Sequence, residues 1–108
     1  MPSKRPVRWA KGAEADLVQL VEYIANDSLQ NALACASRLR DAAAQLAVFP
    51  NRGRVIPELE AQGVTQYREI IEGPWRILYR VYEKVVMILA VVDSRKNIED
   101  ILLARMVR

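Results

Sequence analysis

Residues Val85–Val92 read VVMILAVV, apolar without interruption and closed by Asp93. The run has the length of a strand, and a strand apolar on both faces must be covered on both. It therefore predicts a layered domain with this strand at its centre. Just upstream, Trp75–Tyr82 alternates, with Trp75, Ile77, Tyr79 and Val81 on one face and Arg76, Leu78, Arg80 and Tyr82 on the other. Only Glu83-Lys84 separates the two runs, so they pair antiparallel. Tyr67–Glu72 is also strand-like and ends at Gly73-Pro74, a turn signal.

The first half of the chain has a different period. Val7–Ala10 reads as a short strand. From Ala13, Leu17, Leu20, Val21 and Ile24 form one helical stripe, with Glu14 and Asp16 placed in the first turn, where the helix dipole favours negative charge. Asn26-Asp27-Ser28 breaks the pattern. A second helix follows, with Leu29, Ala32, Leu33, Ala36, Leu39, Ala43 and Leu46 on one face, and the short link makes the pair an antiparallel hairpin. Pro50 stops it, and Gly53 is expected to permit a tight turn. Ile98, Ile101, Leu102 and Arg105 mark a last helix with Asn97 as its N-cap. The expected order is β-α-α-β-β-β-α. This is an α+β fold in which an N-terminal strand and an antiparallel helical hairpin pack on an antiparallel sheet, with a C-terminal helix. At 108 residues it is a single domain spanning 1–108.

The composition excludes much chemistry. There is no histidine and one cysteine, Cys35, which removes Cys/His zinc sites, Ser-His-Asp triads, Cys-His pairs and any disulfide framework. No Gly-rich phosphate loop occurs, so no cofactor or metal is expected. The basic start, MPSKRPVRWAKG, lacks a signal peptide's apolar run, and no segment reaches membrane-span length; a cytoplasmic protein is expected. What remains is arginine on the sheet half: Arg52, Arg54, Arg68, Arg76, Arg80 and Arg95. Arg76 and Arg80 share a strand face, and Arg68 is expected to face the same way across the hairpin. Such a cluster binds phosphates or carboxylates through forked hydrogen bonds. The competing reading pairs each arginine with Glu58, Glu69, Glu72 or Asp93. Tyr67, Trp75, Tyr79 and Tyr82 serve either as base-stacking surfaces or as cross-strand packing.

Three stretches together carry a resemblance. VRWAKGAEADLVQLVEYIA, LAVFPNRGRVIPEL and YREIIEGPWRILYRVYEKVVMILAVVDSRK occur in that order and cover nearly the whole chain. They are similar to the opening strand and helix, the helix-two exit and the final three strands of the RelE/ParE superfamily of type II toxin–antitoxin toxins, with most likeness to the ParE-like branch. The resemblance implies a cytoplasmic toxin in hetero-oligomeric complex with a small acidic antitoxin, ParD-like and of the ribbon-helix-helix type. In the ParE-like reading the protein inhibits DNA gyrase by binding and performs no chemistry of its own. The alternative is a RelE-like, ribosome-dependent mRNA endoribonuclease, in which Arg68, Arg76 and Arg95 would hold phosphate. Cleavage also needs a proton donor and acceptor. The stretch Asp93-Ser94-Arg95-Lys96 holds no histidine or tyrosine for that role, and the helix beyond it no tyrosine. The residues assigned to partner contact are Arg54, Arg68, Arg76, Arg80, Trp75 and Arg95. The tail carrying Arg105 and Arg108 either meets the target or packs on the sheet.

Overall fold

The computed structural model describes residues 4–106, which leaves Arg108 outside the described residues. Along the chain run β1 (Val7–Trp9), α1 (Lys11–Ala25), α2 (Leu29–Ala44), a 3-10 turn (Gln45–Ala47), β2 (Arg54–Val55), α3 (Pro57–Glu60), β3 (Tyr67–Glu72), β4 (Trp75–Val81), β5 (Val86–Asp93) and α4 (Ile98–Met106). The strands form one sheet in the order β1-β5-β4-β3-β2. β5 is thus interior, as its apolar run requires. β1 pairs with it in parallel, a pairing left unassigned by the sequence, at one edge of an otherwise antiparallel sheet. The two-residue β2 is an additional strand, antiparallel to β3.

The α1–α2 hairpin covers one sheet face and the α3/α4 pair the other. Leu17, Leu20, Leu39, Leu46, Ile77, Tyr79 and Ile88 belong to the core under the hairpin. Ile56, Leu59, Leu78, Ala90, Val92, Ile98 and Leu102 make the second core under α4. The C-terminal helix therefore packs on the sheet. Its start is capped as expected, with Asn97 Oδ1 accepting from the Asp100 N–H at 3.2 Å. Each fully buried aliphatic side chain in these cores contributes about 1.5–3 kcal/mol relative to exposure.

Three local features depart from the sequence pattern. α1 begins at Lys11, so Asp16 lies beyond its first turn. The buried stripe of α2 is Ala32, Cys35, Leu39 and Ala43, continued by Leu46 in the 3-10 turn; Leu29, in the first turn, and Leu33, one residue off the stripe, are exposed. Gly53 does not have a positive φ. A Cβ there would lie 2.4 Å from the Glu69 carbonyl oxygen, so glycine is required for close approach to β3. Tyr79 fixes this turn. Its hydroxyl donates to the Pro50 carbonyl at 2.8 Å and accepts from the Gly53 N–H at 2.9 Å.

The β4–β5 ladder carries a bulge. Leu78 pairs with Ala90 and Tyr79 with Ile88, leaving Leu89 unmatched. The extra residue switches the side-chain parity. Val86 and Ile88 face the hairpin before it; Ala90 and Val92 face α4 after it. The backbone groups disturbed there find side-chain partners. Asp16 Oδ2 accepts from the Val91 N–H at 2.9 Å, and Arg105 Nη1 donates to the Leu89 carbonyl at 2.9 Å. Arg105 also forms a forked pair with Asp16 at 2.7 Å on both oxygens, tying α4 to α1 through the bulge.

Candidate functional site

Alternation along β4 points Arg76 at the face covered by α3 and α4, and α3 brings Glu58 over it. Arg76 is only 7% exposed. Its Nη1 and Nη2 each donate to one oxygen of Glu58 at 2.9 Å, and its Nε donates to Glu69 Oε1 at 2.6 Å. Glu69 sits on β3, 1% exposed, and its other oxygen accepts from Arg54 Nε of β2 at 2.7 Å. Two cations and two anions thus form a closed, neutral chain, Glu58–Arg76–Glu69–Arg54. The hydrogen bonds from Arg76 lower the Glu58 pKa, and those to Glu58 and Glu69 raise that of Arg76 against the opposing effect of burial. Arg54, its side chain 63% exposed, and Glu58, at 35%, leave this centre open to a partner.

The remaining sheet arginines do not join it. Arg68 pairs in register with Tyr79, so it lies on the hairpin face, opposite to Arg76 and Arg80; the expectation of a shared face fails because cross-strand partners point the same way. There its Nη1 donates to the Gly53 carbonyl at 2.6 Å. Arg80 lies between two rings, 5.5 Å from the Tyr67 centroid and 4.8 Å from that of Tyr82.

Two clefts open on the surface. The first, about 450 Å³, lies between α2 and the outer edge of β3, and Arg38, Arg52, Arg54, Asp41, Ile71 and Glu72 line it. β2 pairs only with Arg68 and Glu69, so among the described residues no strand covers the outer edge of β3 at Ile70–Glu72. Ile71 is exposed there. The second cleft, about 430 Å³, lies between α1 and α4, with Tyr23, Trp75, Asp93, Arg95 and Lys96 among its lining. Here Asp93 clamps Arg95: Oδ1 accepts from Nε at 3.0 Å and Oδ2 from Nη2 at 2.8 Å. The hydrogen bonds from Arg95 lower the Asp93 pKa to about 2. Trp75 and Arg95, both assigned from sequence, thus meet in one cleft that neither Arg54 nor Arg76 lines.

Sequence reasoning missed Tyr23, Lys96 and Arg38 as cleft residues and the Asp16–Arg105 clamp. Polar residues at positions 16, 19 and 23, on one side of α1, were the available signal for the second cleft. Among the described residues, no group of three or more His, Cys, Asp or Glu side chains converges to hold a metal, and no helix is long and apolar enough to cross a membrane.

The fold has solved counterparts. A chain of the chromosomal ParDE toxin–antitoxin system from P. aeruginosa is 22% identical, with a TM-score of 0.70 over 83% of this chain and 96% of that one. A chain of the RelBE2 toxin–antitoxin complex from Mycobacterium tuberculosis is 23% identical, with a TM-score of 0.62 over 86% and 94%. No curated protein sequence matches significantly. The sequence profile for the ParE toxin of the parDE type II toxin–antitoxin system matches residues 7–98, so the chain belongs to the ParE toxin family.

Proposed function

We propose that this toxin acts by inhibiting DNA gyrase as a binding protein, and that a small acidic, ParD-like antitoxin neutralises it in a hetero-oligomeric complex in the cytoplasm. The observation that carries the gyrase reading is the state of Arg76. An mRNA-cleaving site needs this arginine free for phosphate, whereas here its donors are engaged by Glu58 and Glu69 in a buried setting. Releasing it would leave Glu58 without its cation and buried Glu69 with Arg54 alone. The absence of histidine from the whole sequence supports the same reading, since one common proton-transfer group is missing. The antitoxin reading draws on the first cleft. An unpaired strand edge, exposed Ile71 and the cations Arg38, Arg52 and Arg54 suit an extended acidic segment that adds a strand to β3.

Purified toxin in a gyrase supercoiling assay, run beside a translated message in a cell-free system, tests the target. Loss of supercoiling with an intact message is expected. A cut message with gyrase untouched would overturn the reading in favour of ribosome-dependent cleavage. For the antitoxin, the variant Arg38→Glu/Arg52→Glu should lose co-purification with the antitoxin encoded beside it. Undiminished co-purification would move the docking surface elsewhere.

A further inference from the structure

The aromatic side chains divide by what covers them. Arg40 sits 5.3 Å from the Trp9 ring, Arg80 occupies both Tyr67 and Tyr82, and Tyr79 is fully buried. Trp75 and Tyr23 are different. Both line the second cleft, Tyr23 is 75% exposed, and among the described residues neither carries a stacked cation. Their aromatic neighbourhood is completed by an apolar floor of Leu20, Val91 and Ile101.

Beside these rings stands a cation with a fixed orientation. Asp93 engages Arg95 Nε and Nη2, leaving Nη1 without a hydrogen-bond partner among the described residues. Arg95 is 87% exposed, and the neighbouring Lys96 forms no ion pair among those residues. Asp93 therefore orients the guanidinium and does not bury it. A planar fork with a free edge suits a phosphate, and the adjacent ammonium adds a second charge without demanding geometry. Tyr23 and Arg95 both line the cleft, which places ring and cation in one site. The cleft volume falls within the roughly 300–1,000 Å³ of small-ligand sites.

We propose that the α1–α4 cleft binds a nucleoside phosphate, with the base held by Trp75 and Tyr23 and the phosphate by Arg95 and Lys96. Apolar walls and aromatic surfaces accept any base, because every base has a π-face, while the cations select for the phosphate. Its lining shares no residue with the first cleft or with the Glu58–Arg76–Glu69–Arg54 chain, and it does not depend on the gyrase reading. A free nucleotide and the end of a single strand share this chemistry.

The sequence supplies its own reporter. There are two tryptophans, so Trp9→Phe leaves Trp75 as the sole indole. Its fluorescence is followed while the full chain is titrated with AMP, UMP, inorganic phosphate and an eight-nucleotide single strand, with circular dichroism on every variant to confirm folding. Saturable quenching by AMP and UMP is expected, with inorganic phosphate binding far more weakly. Arg95→Ala/Lys96→Ala should weaken the nucleotide by about tenfold or more, and Tyr23→Ala by roughly tenfold. Arg80→Ala, in the occupied aromatic cluster, should leave it unchanged. A strand that binds more tightly than the mononucleotide assigns the site to single strands; equal affinity assigns it to free nucleotide. No saturable quenching, as for a cleft that takes only a protein side chain, overturns the proposal. So does quenching that survives loss of both cations in a folded variant.

Discussion

Arg76 and Arg95 are both held by carboxylates, yet the two centres do opposite things. At Arg76 two glutamates enclose the guanidinium beneath α3, and Arg54 closes the charge balance from β2. At Arg95 one aspartate, two residues away in the chain, grips one edge and leaves the other to solvent. The first arrangement links four separate elements, β2, α3, β3 and β4. The second is local to one turn. Pairing an arginine therefore does not decide whether it is structural or available; the number of elements it joins and its burial do.

The contrast breaks most sharply if Glu69 is removed. Glu69→Ala removes one of the two anions from buried Arg76, leaving its Nε without an acceptor and Glu58 as its only partner. A loss of about 3 kcal/mol in urea unfolding is expected. Replacing the pair together, as Glu69→Leu/Arg76→Met, should recover most of that, because well-packed apolar residues often substitute for a buried ion pair at little cost. A Glu69→Ala variant as stable as the parent would show that the centre is hydrated and reduce it to the status of Arg95.

A smaller loss is expected at the β5 bulge. Asp16→Ala leaves the Val91 N–H without its acceptor and Arg105 with the Leu89 carbonyl alone. About 1–3 kcal/mol should be lost, the cost of an unsatisfied buried donor, together with faster amide exchange at Val91. Unchanged exchange there would mean that the bulge is held by the sheet alone. This clamp also shows where sequence reading stops. The central position of β5 follows from its unbroken apolar run, and the faces of β4 follow from alternation. In VVMILAVV, however, both faces are apolar, so nothing marks the residue at which parity switches. The parallel β1–β5 pair joins residues nearly eighty apart, and β2 is too short to show a period. Charges were legible as a list of arginines and acids but not as partners. The register that turns Arg68 away from Arg76 is set by the hairpin's tertiary pairing.

Acid should separate the two centres in order. Glu58 has its pKa lowered from 4.5, chiefly by the hydrogen bonds from Arg76. A carboxylate depressed in the folded state contributes stability above its unfolded pKa and loses it as pH falls through the folded one. The urea midpoint should therefore hold flat through neutrality and decline below about pH 4.5, more steeply in the parent than in Glu58→Gln. Equal slopes would remove Glu58 from the account of acid stability.

The smallest effect is the most local. Asp93 has its pKa lowered from 3.8 to about 2 by the hydrogen bonds from Arg95, whose side chain is 87% exposed. The stability linked to it is present above 3.8 and fades toward 2, but solvent screening makes the contribution slight. Arg95→Ala should accordingly leave the urea midpoint within experimental scatter. It should nevertheless return the Asp93 carboxyl titration, followed by carbon-13 chemical shift, from about 2 toward 3.8. That pair of results would establish a grip strong enough to orient one side chain and too exposed to support the fold. If the carboxyl titrates near 3.8 in the parent, Arg95 is not held, and the phosphate-facing edge of the second cleft loses its preorganisation.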